Sequence, residues 1–472
     1  MSNPPTTDFR ALAELLWSGQ ADLVHEHHPV RGSYPSAQEI APGLLYFKGI
    51  AAISVVDTGE GLVMMDAGTK RDIDRVYEAV RAWRPDAPLV AAVFSHHHLD
   101  HVWATRRFDE EAAARGWAKP RVYAHALLPR HFDRYRRTQA WNRAINLRQF
   151  LGRADDLEWP VDFRYPDVTF DRDLTLRIGS LTFALHPARG ETDDHVWVHV
   201  PERGWIFPGD LFIWAVPNAG NPQKVQRYCE DWADALRTMA ACDAELLVCG
   251  HGMPIFGAPR VRQALLDTAE YLDAIETQTV ALMNRALPLD EILQRVRPPA
   301  HLADRPYLQA IYDHPQFLVR NVWRRYGGWW DGEPDALLPA PRVQQAREWI
   351  ALAGGVAPVL ARAAQLEAAG DLAMAAHLVE LATLAADDAL AAAVGRGTAD
   401  ARTGAPQTDA AQQHDAAHAA RARIYAARSA AEPSTMARGI FGHFARSSRE
   451  HRRDRIADLP EAPHGSGAPH AT

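Results

Sequence analysis

The stretch Ser95-His96-His97-His98-Leu99-Asp100-His101 places four metal-ligating side chains, those of His96, His98, Asp100 and His101, within six residues. Imidazole and carboxylate together form the ligand set of zinc or a similar divalent ion. The stretch follows Leu89 to Phe94, an apolar run rich in Val and Ala that reads as a buried strand opening into a loop. Strand periodicity turns His96 and His98 the same way, lets Asp100 follow, and leaves His101 off the register. The alternating pair followed by Asp-His suits two adjacent metals, His96 and His98 on one, Asp100 and His101 on the other.

Other predicted strand ends carry the same residue types. Asp66 closes Leu62-Val63-Met64-Met65, Glu191 sits in Gly190-Glu191-Thr192, Asp210 follows Trp205-Ile206-Phe207-Pro208-Gly209, and His251 closes Leu246 to Gly250. In this order the residues resemble the metallo-β-lactamase superfamily, and within it the alkyl sulfatases. The resemblance implies an α/β fold, a four-layered αββα sandwich with the site at one edge between two sheets. It implies a first metal on His96, His98 and Glu191, a second on Asp100, His101 and His251, and Asp210 as the bridge. Two Zn2+, or other divalent ions, per chain are the implied cofactors, with Asp100 and Asp210 taking part in catalysis. Glu191 replaces the histidine of most superfamily members, as in the alkyl sulfatases, whereas Asp210 replaces their glutamate and follows the wider superfamily. Val102-Trp103-Ala104 stands where a glycine pair is common. Asp66 is expected either to hold the histidine loop by hydrogen bonds or to cap the next helix. His186 and His195 are expected to be structural or supporting side chains.

The elements that must position these groups extend over 472 residues, more than one average core, so two or more domains are expected. A hydrophobic share of 47% fits a globular chain, and a net charge of −8 argues against a general nucleic-acid binder. Cys229, Cys242 and Cys249 suit neither a disulfide framework nor a zinc spacing. No run is long enough to cross a bilayer and no apolar signal region opens the chain, so a cytoplasmic location without a membrane span is expected. Residues 8–28 read as an amphipathic helix. A basic-aromatic insert, 128–150, reads either as solvated helix or as a lid or pocket for an anionic substrate. Asn218, Asn221, Lys224 and Arg227 lie between the bridge and the last ligand; they are either a helix-launching turn or the contacts for an anionic ester, with Arg as a bidentate fork. Tyr326-Gly327-Gly328-Trp329-Trp330-Asp331-Gly332-Glu333-Pro334 is similar to the passage of alkyl sulfatases into an all-helical dimerisation domain, which implies a homodimer. The expected division is 1–290 catalytic, 291–450 helical and 451–472 disordered, with a loose polar loop at 396–415.

A cation pair lowers the pKa of a bridging water, so hydroxide is available at neutral pH. The expected reaction is hydrolysis of a sulfate ester, an alkyl sulfate by resemblance. Two rivals stand beside it: hydrolysis of a phosphodiester, lactone or thioester on the same site, and a non-enzymatic helical interaction protein with a relic domain.

Overall fold

Continuous apolar runs build two sheets. The first contains β1 (Ala37–Ala41), β2 (Leu44–Lys48), β3 (Ala52–Asp57), β4 (Leu62–Met65), β5 (Leu89–Val93), β6 (Arg121–His125) and β7 (Val168–Phe170), in chain order across the sheet. It is antiparallel as far as β4 and parallel from β4 to β7. The second contains β8 (Leu174–Ile178), β9 (Leu181–Ala188), β10 (His195–Val200), β11 (Trp205–Phe207), β12 (Leu246–Leu247) and β13 (Ile255–Phe256), again as chain neighbours, with β11 and β12 parallel. Parallel β4 and β5 need a crossover, and the helix Ile73–Trp83 supplies it, burying Val76 and Val80 one turn apart. One apolar core takes Tyr46, Val56, Val63 and Val93 from the first sheet and Phe183, Leu185, Val198 and Ile206 from the second. The two sheets therefore close face to face, as expected of the sandwich.

The computed structural model describes residues 8–30, 36–150, 159–395 and 409–456. It divides into two compact units: residues 1–137 with 160–331, and residues 138–159 with 332–472. Residues 160–331, with the helix Pro315–Gly327, cluster with the sheets, and half of the basic insert, the helix Gln139–Gln149, clusters with the helices. The second unit is otherwise the helices Arg342–Leu352, Val356–Ala368, Leu372–Gly395, Asp409–Ala431 and Thr435–Arg449. Its apolar clusters are dominated by alanine with a few Val, Leu and Ile. Each buried methyl removes little area from water. Polar pairs span the helices instead: Arg421 Nε to Glu380 Oε1 at 2.7 Å, Arg423 to Glu367 at 2.9 Å and His418 Nε2 to Asp387 Oδ1 at 2.9 Å.

The predicted 8–28 helix ends at Trp17, where Gly19 turns the chain at φ 68°. Residues 409–415, expected as loop, begin the Asp409–Ala431 helix; the remainder of that loop, 396–408, and the tail from 457 lie outside the described residues. Among the described residues no single helix is long and apolar enough to cross a membrane; the bent pair Arg342–Leu352 and Val356–Ala368 has the length and composition only across an 89° bend.

Candidate metal centre

Strand β5 stops at Val93, and residues 95–101 form a turn-rich loop, so the histidine run is not in strand register as expected. The loop is held by Asp66, the residue that ends β4. Its Oδ1 accepts the Ser95 N–H at 2.7 Å and its Oδ2 accepts the Ser95 hydroxyl at 2.9 Å and His101 Nδ1 at 2.8 Å. Ser95 Oγ in turn lies 2.9 Å from His96 Nδ1. Two ring orientations are thereby fixed through one carboxylate, and both rings turn Nε2 inward. Asp66 thus holds the loop, one of the two roles expected of it.

The seven ligands inferred from sequence converge. His96 Nε2 lies 2.8 Å from His98 Nδ1 and 3.8 Å from Glu191 Oε2. On the other side, His251 Nε2 lies 3.4 Å from Asp100 Oδ2, and His101 Nε2 lies 3.8 Å from the same oxygen. Asp210 joins the two groups. Its Oδ1 is 3.4 Å from His101 Nε2, while its Oδ2 is 3.2 Å from His251 Nε2 and 3.9 Å from His96 Nε2. The Ile50 carbonyl, 2.7 Å from His251 Nδ1, takes that ring's outer proton. Backbone room is made by glycine: a Cβ on Gly250 would strike Asp210 Oδ1, and Gly209, at φ 54°, passes against His195 and Ser95.

The charges are strongly coupled. Burial pushes the Glu191 carboxyl well up, opposed by the Arg227 guanidinium. Burial works against charge on Asp210 too, but His251 and His101 hold it well below the usual carboxylate range. His96 and His98 are held neutral by burial and by neighbouring imidazoles. A divalent ion suits this set. His101 Nε2, Glu191 Oε2 and Asp210 Oδ1 are buried without hydrogen-bond partners among the described residues. Such orphaned groups are costly unless a ligand satisfies them.

The residues expected to meet substrate fall into three groups. Arg227 is buried and donates through Nη1 to Glu191 Oε1 at 2.6 Å and to the Asn218 carbonyl at 2.7 Å. Asn218 Nδ2 also donates to Glu191 Oε1. Both therefore hold Glu191 in place, leaving Oε2 turned inward. Asn221 accepts the Gln223 N–H in a turn, at 3.1 Å. Lys224 is half-buried, and burial, with Arg227 beside it, pushes its amine down to about 7. His195 stacks on His96 at 4.7 Å, a supporting role, whereas His186 pairs with Asp173 and stacks on Trp197, outside the ligand cluster.

Sequence reasoning missed a second network beside the first. His97 turns away from its neighbours; its Nδ1 lies 2.8 Å from Asp194 Oδ1 and its Nε2 2.9 Å from Arg134 Nη2. His131 stacks on His97 at 4.2 Å and bonds Asp193 at 2.6 Å. Arg134 and His131 belong to the helix Leu128–Arg137, so the first half of the basic insert supports the metal loop. The hydrogen-bonded partners are 37 to 97 residues apart in the chain, and nothing local in the sequence marks them.

Residues 47–251 match the metallo-β-lactamase superfamily, and residues 288–451 match the alkyl sulfatase dimerisation family. The chain joins a metallo-β-lactamase superfamily domain to an alkyl sulfatase dimerisation domain. It is 28% identical over 343 residues to a linear primary-alkylsulfatase of Pseudomonas sp., covering 69% of this chain and 65% of the relative. It is 25% identical over 349 residues to an (R)-specific secondary-alkylsulfatase of Pseudomonas sp., covering 68% and 52%. A stereoselective inverting sec-alkylsulfatase from Pseudomonas sp. superposes with a TM-score of 0.73 at 22% identity, over 88% of this chain and 66% of that one. That likeness shows the fold. The chain spans between half and two thirds of the length of these curated relatives.

Proposed function

We propose that this chain hydrolyses sulfate esters, with alkyl sulfates as the substrate class, on a pair of divalent cations such as Zn2+. The observation that carries the reading is Asp210, whose carboxylate reaches both ligand groups: Oδ1 lies toward His101, and Oδ2 lies between His251 of the same group and His96 of the other. His96, His98 and Glu191 would hold one ion, Asp100, His101 and His251 the other, with Asp210 between. Bound there, such ions supply Lewis acidity and lower the pKa of water.

The protein's own contribution is positioning. Asp66 and the Ile50 carbonyl accept from Nδ1 of His101 and His251, so both rings turn Nε2 inward, where an ion would meet it. Arg227 and Asn218 fix Glu191, and Lys224, in its protonated form, adds positive charge for an anionic ester. The match to the dimerisation family supports a homodimer formed through the helical unit.

The test is a substrate panel on the metal-loaded protein: an alkyl sulfate, bis-p-nitrophenyl phosphate and a lactone. Sulfate release from the alkyl sulfate is expected, at least tenfold faster than turnover of the others. An aspartate rather than glutamate at 210 is the feature that favours a different ester, and faster phosphodiester or lactone cleavage would establish that reading instead.

A further inference from the structure

The helical unit holds a second group of ligand-bearing side chains that the hydrolase reading does not use. His414 and His418 stand four residues apart on the Asp409–Ala431 helix, so they share one face. They meet Asp387 of the Leu372–Gly395 helix. Asp387 Oδ1 lies 2.9 Å from His418 Nε2 and 3.4 Å from His414 Nε2, and the three ligand atoms all fall within 4.8 Å of one another. Ligands about 2.0–2.1 Å from a tetrahedral zinc stand about 3.3 Å apart, close to these separations.

His414 places Nδ1 3.4 Å from Asp415 Oδ1 and turns Nε2 toward Asp387. His418 is buried and turns Nε2, the nitrogen that would ligate, toward Asp387. Asp415 also lies 3.3 Å from His451 Nδ1, and His451 stacks on His414 at 5.5 Å. It is thus the outer carboxylate that orients a ligating imidazole.

We propose that Asp387, His414 and His418 form a structural site for a late first-row divalent cation, Zn2+ above all, with Asp415 orienting His414. The site ties together two helices whose own apolar contact is thin. Two imidazoles and one carboxylate suit Zn2+ and disfavour Ca2+ and Mg2+, which prefer all-oxygen shells.

The proposal is independent of the hydrolase reading and is tested with that site disabled. In the full-length His96→Ala/His251→Ala chain, dialysed against Zn2+, elemental analysis is expected to find one ion that Asp387→Asn and His414→Gln each remove. Co2+ in place of Zn2+ should give visible absorption lost with the same substitutions. The helical unfolding midpoint should rise on adding Zn2+ to the parent and stay unchanged in the His414→Gln chain. If His414→Gln misfolds by circular dichroism, Asp387→Asn supplies the comparison, and the parent's own Co2+ spectrum still reads the site. Equal metal content in the parent and a folded variant, or no Co2+ absorption in the parent, overturns the proposal and leaves a hydrogen-bonded His–Asp cluster.

Discussion

Asp66 Oδ2 accepts from His101 Nδ1 at 2.8 Å, and the same oxygen accepts from the Ser95 hydroxyl, which reaches His96. One carboxylate, itself inferred to touch no ion, thus orients one imidazole from each ligand group. Asp66→Asn keeps the shape and loses the charge and one acceptor. Metal affinity is expected to fall about 10–100-fold, with secondary structure intact, as read by competition against a chromophoric chelator. Unchanged affinity would remove Asp66 from the account.

Arg227 balances Glu191 in a buried setting, and burial alone drives the Glu191 carboxyl upward. Removing one partner of a buried pair costs about 3–5 kcal/mol, chiefly through the charge left behind. Arg227→Met should therefore lower stability strongly in the chelated protein and less in the metal-loaded one, where a cation also faces Glu191. Denaturant melts with and without chelator measure the difference; equal losses in both states would count against metal contact at Glu191.

Gly250 has no room for a side chain, since a Cβ there meets Asp210 Oδ1 and the Gly209 carbonyl. Gly250→Ala must displace the carboxylate that joins the two ligand groups. Turnover is expected to drop at least a hundredfold while the circular dichroism of the helical unit stays unchanged. A variant with near-normal turnover would show that the position of Asp210 is not critical.

The candidate ligand positions were legible because several follow the end of a strand, so a short apolar run followed by His, Asp or Glu marks both the element and the candidate site. His96, Glu191, Asp210 and His251 follow that rule. Beyond Asp66 and His195, the support around them was not legible. Arg227 reads as a substrate contact until it is seen against Glu191, and Arg134 reads as a solvated arginine until it is seen against His97. Placement of the insert was hidden for the same reason. Arg148 pairs with Asp454 at 2.8 Å, a contact across three hundred residues that gathers 138–159 into the helical unit. Helix limits failed where local backbone geometry decides them, as at Gly19.

Asp313 carries a pH dependence. Its carboxylate accepts the Gly220 N–H at 2.7 Å and the His314 N–H at 2.8 Å, yet burial pushes its pKa from 3.8 up to about 7. The folded chain therefore holds this proton more tightly than the unfolded one. That contribution to stability is complete below the unfolded value and is lost as pH rises through about 7. Unfolding midpoints between pH 5 and 8 should decline more steeply in the parent than in Asp313→Asn. Parallel profiles would exclude Asp313 as the group responsible.

The central claim is that Asp210 stands between two cations. Anomalous diffraction at the zinc edge, from crystals of the metal-loaded protein, tests it most directly. Two peaks are expected at this centre, one beside His96, His98 and Glu191 and one beside Asp100, His101 and His251, with an Asp210 oxygen against each. A centre with no peak, or with a single ion that Asp210 does not touch, would contradict the account.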